Sequence, residues 1–180
     1  MTSTLQVQTL QGPTSGADSN VIRIADGHTL VGGQGSIIQE QINVFPTRFD
    51  TTSDSYQQTG MAVAITPRLA SSKIVVSSIF CIYFTATGGV NYGVVARLFN
   101  LNTSAQIGLG SNSDGFFYSR DIWGSGDGYV QFAVRAVDDQ TNSTSLRTYG
   151  LAIRNHTAGD SMRVHKNFGA NTITATEIAQ

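Results

Sequence analysis

Apolar residues in this chain alternate with polar ones or run in short blocks, and almost nowhere recur at the three- and four-residue spacing of an amphipathic helix. In Met61-Ala62-Val63-Ala64-Ile65 the larger apolar side chains Met61, Val63 and Ile65 fall on one side of an extended backbone, and Val130-Gln131-Phe132-Ala133-Val134-Arg135 repeats the pattern. Such a strand gives one face to a core and the other to solvent. The alternation predicts strands over Ile37–Phe45, Tyr56–Ile65, Lys73–Ala86, Gly93–Asn100, Phe116–Trp123, Tyr129–Val137, Ser145–Ile153, Met162–Lys166 and Thr172–Ile178. Turn signals separate them: Thr59-Gly60, Thr66-Pro67, Gly88-Gly89, Asn112 to Gly115, Gly124 to Gly128, Asp138 to Asn142 and Ala158-Gly159-Asp160. Short strands spaced by polar turns make an all-β, antiparallel sandwich or barrel.

One run breaks the alternation. Ile74 to Phe84 is apolar on both faces apart from Ser77 and Ser78, which marks either a central strand or one whose outer face meets another subunit. The single cysteine, Cys81, lies in this run and reads as a buried packing residue, since one thiol cannot close an intrachain disulfide.

The N-terminal part differs in kind. Leu5-Gln6-Val7-Gln8-Thr9-Leu10 and Val21-Ile22-Arg23-Ile24 are strand-like but short, and the stretch ends in Gly32-Gly33-Gln34-Gly35. Segments below roughly 40 residues seldom bury enough surface to fold alone. We therefore expect an attachment arm over residues 1–35, with Leu5, Val7, Leu10, Val21, Ile22 and Ile24 as its anchoring side chains, followed by a β-domain over 36–180.

Charge narrows the function classes. Only 13% of residues are charged and the formal net charge is −1, so there is no excess of cations to neutralise phosphates, and nucleic acid is not an expected partner. The start Met1-Thr2-Ser3-Thr4-Leu5 has neither the basic flank nor the apolar run of a signal peptide, and no stretch nears the roughly 18 apolar residues of a membrane-spanning helix. Synthesis in a cytoplasm and no membrane insertion are the expectation.

No motif for bond-making chemistry emerges, and no catalytic residue, cofactor or metal ligand is expected. None of His28, His156 and His165 neighbours a serine or cysteine in a nucleophile context. Asp114, Asp121, Asp127, Asp138 and Asp139 read as turn residues rather than as a glycosidase pair, which needs carboxyls facing each other at about 5–10 Å. The EF-hand pattern is absent, and Gly124-Ser125-Gly126-Asp127-Gly128 precedes a strand, not the helix a phosphate loop requires. Phe117, Tyr118, Trp123 and Tyr129, with Asp127 beside them, are the candidate contact set for a sugar or protein partner; core packing is the default role for such large side chains, and a subunit interface is the third.

Several segments carry a family likeness. Gly35-Ser36-Ile37-Ile38-Gln39, Thr59-Gly60-Met61-Ala62-Val63-Ala64-Ile65-Thr66-Pro67, Ala70-Ser71-Ser72-Lys73-Ile74-Val75-Val76 and the closing Asn171 to Ile178 resemble a domain of tailed-bacteriophage virion proteins. The arm is similar to short repeats that precede this domain in phage fibres. The resemblance implies a homotrimeric jelly-roll-like sandwich on the virion surface, wound or attached through its arm to capsid or tail proteins. The function expected from it is that of a fibre or spike whose loops bind a host-surface glycan, with weak contacts multiplied by threefold display. A capsid decoration or cement protein is the alternative, and a jelly-roll lectin or carbohydrate-active enzyme lies further off.

Overall fold

The computed structural model describes residues 34–85, 93–108, 117–120, 127–139, 142–155, 161–164 and 171–180. All of them belong to the unit Gly32–Gln180. Leu5, Val7, Leu10, Val21, Ile22 and Ile24, expected from the sequence to anchor the arm, lie outside the described residues, as do Trp123 and the histidines.

The described chain is all-β. The strands are β1 (Ile37–Val44), β2 (Phe49–Thr51), β3 (Gln57–Ile65), β4 (Lys73–Thr85), β5 (Gly93–Asn100), β6 (Ala105–Gln106), β7 (Phe117–Arg120), β8 (Asp127–Asp138), β9 (Arg147–Asn155), β10 (Ser161–Val164) and β11 (Thr172–Ile178). They form two antiparallel sheets. In the first, β1 and β2 pair with β11 and β10, these pair with successive halves of β4, and β4 pairs along its length with β8. In the second, β3 pairs with β9, β9 with β5, and β5 with both β6 and β7. Following the chain, β1 and β2 are in the first sheet, β3 in the second, β4 in the first, β5 to β7 in the second, β8 in the first, β9 in the second, and β10 and β11 in the first. This crossing order is that of a jelly roll, as expected.

The core is what the alternation requires. Met61, Val63 and Ile65 of β3 meet Ile74, Val76, Phe80 and Ile82 of β4, with Leu98, Phe132, Leu151 and Ile173 from the strands around them, all buried. The doubly apolar β4 is the central strand of its sheet, which settles one of the two readings of that run.

Three local expectations change. Thr59-Gly60 is not a turn but an irregularity within β3, where the register slips between Gln58 and Ala62 and Gly60 takes φ +82°. A side chain there would be strained and would sit 3.3 Å from the Phe45 ring. Asp127 and Gly128 are not turn residues either, because β8 starts at Asp127 and pairs both with β4. Finally β2 and β6, three and two residues long, were too short to register as alternation.

Candidate functional site

The segments that carry the family likeness converge on one carboxylate. Glu177, fully buried, accepts hydrogen bonds from the backbone amides of Arg68 (2.8 Å) and Leu69 (3.0 Å), the Ser72 hydroxyl (2.7 Å) and the Gln39 amide (2.6 Å). Burial alone would raise its pKa. The hydrogen bonds from Arg68, Gln39, Leu69 and Ser72 outweigh that and hold the carboxyl below its ordinary value. The β3–β4 connection is thus fastened to the last strand.

β1 is amphipathic in the opposite sense from a strand that feeds a core. Two of its polar side chains turn inward: the Asn43 amide donates to Ala62 O at 2.7 Å and the Gln39 amide to Thr66 O at 2.7 Å, both on or just beyond β3. Its apolar side chains Ile42 and Val44 turn outward and are 61% and 59% exposed. Register places them on one face with Thr172 and Thr174 of β11, Ser77 and Ile79 of β4, and Ala133 and Arg135 of β8. Six of the seven large exposed apolar side chains among the described residues lie on this outer face of the first sheet: Ile37, Ile42, Val44, Ile79, Tyr129 and Val137. They are interleaved with the small polar side chains Thr172, Thr174 and Ser77, and large apolar side chains gathered in this number on one exposed face mark an interaction site.

The far end of the same face carries a row of charge and aromatic contacts. The Arg48 guanidinium pairs with Asp50 at 2.6 Å, Arg163 pairs with Asp50 at 2.7 Å, Arg163 lies 5.1 Å over the Tyr83 ring, and Tyr83 meets Tyr129 with centroids 4.8 Å apart. The hydrogen bond from Arg48, with Arg163 adding to it, holds Asp50 below the usual carboxylate range.

A cleft of about 510 Å³ opens beside the end of β8, lined among others by Asn100, Asn102, Gln106, Asp139, Leu146 and Arg147. Its carboxylate Asp138, read from sequence as a solvated turn residue, is 4% exposed and closes β8. It accepts from the Tyr149 hydroxyl at 2.7 Å and from Arg147 at 3.1 Å, both on the same oxygen. Burial, then the Asp138 carboxylate, push the Tyr149 pKa well above its ordinary value, so the hydroxyl stays a donor at ordinary pH. Asp139 is the next residue along and exposed, so strand alternation turns it away from Asp138 rather than across the cleft from it.

The second sheet carries a smaller cluster outside. Arg97 lies 4.3 Å over the Tyr56 ring and Arg154 5.3 Å from it, while Phe99 meets Tyr56 edge-on at 6.1 Å. Of the contact set expected from sequence, Phe117 and Tyr118 sit on β7 in this second sheet, opposite Ala96 and Val95, whereas Asp127 and Tyr129 sit on β8 in the first. The jelly-roll crossover between β7 and β8 divides them. Tyr129 is 44% exposed on the apolar face. Sequence reading missed Ile42, Val44 and Glu177, although parity was available for the last: 173, 175 and 177 share one face of β11, so Glu177 falls in line with two core residues.

Among the described residues no group of three His, Cys, Asp or Glu side chains is placed to hold a metal ion, and no helix is long and apolar enough to cross a membrane. No family model matches the sequence, and no curated protein matches it. By structure the chain is similar to the VP2 protein of infectious bursal disease virus. It aligns with a mutant VP2 at TM-score 0.34 and 13% identity over 93% of this chain and 44% of that one. For a VP2 subviral particle the values are TM-score 0.36 and 12% identity, over 93% and 46%. The chain thus spans less than half the length of these solved chains.

Proposed function

We propose that this chain is a virion structural protein of a tailed bacteriophage, a homotrimer anchored through residues 1–35 whose sandwich is displayed on the particle surface to meet a host glycan. The observation that carries this reading is the inverted amphipathicity of β1, which turns Ile42 and Val44 outward onto an apolar sheet face while its amides bond inward. A chain that worked alone would gain nothing from that arrangement, whereas an assembling one gains an interface. The resemblance of the segments gathered around Glu177 to phage virion domains supplies the kind of assembly. Display on a threefold axis would raise weak glycan contacts to useful avidity without any bond being broken. A capsid decoration protein is the second reading, favoured by the breadth of the face, which spans β1, β11, β4 and β8 and suits contact with a capsid surface.

Deleting residues 1–35 is the direct test. The truncated chain is expected to keep its β circular-dichroism spectrum and cooperative melt while disappearing from assembled particles. Truncated protein still incorporated at the normal copy number would refute the anchoring role.

A further inference from the structure

The apolar face has opposite charges at its two margins. Glu40 stands on β1, where it accepts a hydrogen bond from Thr176 at 3.0 Å, and Arg135 stands on β8. Register puts Glu40 in the row Glu40, Thr176, Val75, Val137 and Arg135 in the adjacent row Ile42, Thr174, Ser77, Arg135. The two charges are therefore one row, about 7 Å, apart along the strands and three strand spacings apart across them, about 14 Å at about 4.8 Å per strand, too far to pair within one molecule. Large apolar side chains are exposed on both margins, Ile42 and Val44 on β1 and Tyr129 and Val137 on β8, and Ile79 is exposed on β4 between them. A depression of about 340 Å³ reaches from β11 to β8, lined by Val75, Ser77, Ile79, Ala133, Arg135 and Thr176.

We infer that this face closes the trimer: three copies turn it toward a common axis, and the β1 margin of each meets the β8 margin of the next. This rests on the trimeric reading above and adds the surface and its register. A head-to-tail contact needs two different, complementary edges, and here one edge offers Ile42, Val44 and Glu40, the other Ala133, Val137 and Arg135. With the strands inclined to the axis, so that each row of the β1 margin meets the next row of the β8 margin, closure sets Glu40 against Arg135 of the partner subunit at each of three corners, with Ile42 against Ala133 of the partner subunit beside it. Ile79 of β4 then faces the axis.

The test uses the full chain carrying Glu40→Cys and Arg135→Cys together, with each single variant as a control, and native mass spectrometry of the unaltered chain alongside. A disulfide requires Cα atoms within about 7 Å, so the pair cannot close inside one copy. After mild oxidation most of the chain is expected at three times the monomer mass on a non-reducing gel, with neither control shifting. In parallel, Glu40→Arg is expected to lower the trimer fraction and the added Arg135→Glu to restore it. A trimer that neither cross-links nor responds to these reversals overturns the assignment of the face while leaving the trimer standing. Cross-linking that stops at a dimer overturns the threefold arrangement, and a monomer in the native spectrum overturns the trimeric reading and this inference with it.

Discussion

Replacing Glu177 with alanine is expected to destabilise the sandwich by about 3–5 kcal/mol, because it strands two half-buried backbone donors that each cost about 1–3 kcal/mol when left unpaired. The Arg68 and Leu69 amides lose their bonds to the carboxylate, while the Ser72 hydroxyl and the Gln39 amide keep a second acceptor each, Leu69 O and Thr66 O at 2.7 Å. The melting temperature should fall by on the order of 10 °C. The same site predicts the acid limb of stability. Because the folded state holds the Glu177 carboxyl below its ordinary value, its contribution is complete above the unfolded carboxyl pKa and is lost as pH falls through the lower, folded one. Urea midpoints measured from neutral pH downward should therefore drop below about pH 4.5 in the parent chain, and Glu177→Gln should lose that part of the slope. A Glu177→Ala chain within 1 kcal/mol of the parent would mean that the carboxylate does not fasten the loop.

Phe80→Ala carries the other large effect. Phe80 is fully buried at the middle of β4, directly opposite Phe132 on β8 with ring centroids 5.8 Å apart, and faces the second sheet. Removing its ring leaves a cavity among strands held in two hydrogen-bonded sheets that collapse poorly, so a loss of about 3–5 kcal/mol is expected by denaturant unfolding. Its neighbour in sequence, Ile79, points the other way and is 44% exposed. Equal losses at the two positions would contradict the assignment of the inner and outer faces of β4.

Period-two patterning was enough to locate most strands, because nearly every β-segment here feeds a core from one side. For Gly93–Asn100 and Thr172–Ile178 the bounds that patterning predicts are the bounds of β5 and β11. Patterning failed where the physics is not alternation. Gly60 looks like a turn residue yet serves a bulge inside β3, since positive φ is needed in both. Asp138 looks solvated, and only the fold shows that Tyr149 on β9 is placed to satisfy it in a buried position. β1 is the instructive case: Gln41-Ile42-Asn43-Val44 alternates, but nothing local says which face is inward, and the decision is made by hydrogen-bond partners on β3 and just beyond it, 19 and 27 residues along the chain. The aromatic grouping around residues 117–129 looked continuous because these positions are close in sequence, while the crossover sends β7 and β8 to different sheets.

Quantitative mass spectrometry of purified particles, with heads and tails separated, tests the assembly role most directly. The account predicts that the chain co-purifies with particles at a defined stoichiometry: a small multiple of three on tails for a fibre or spike, or hundreds of copies on heads for a decoration protein. Abundant chain in infected-cell lysate with none in either fraction would contradict a virion structural role.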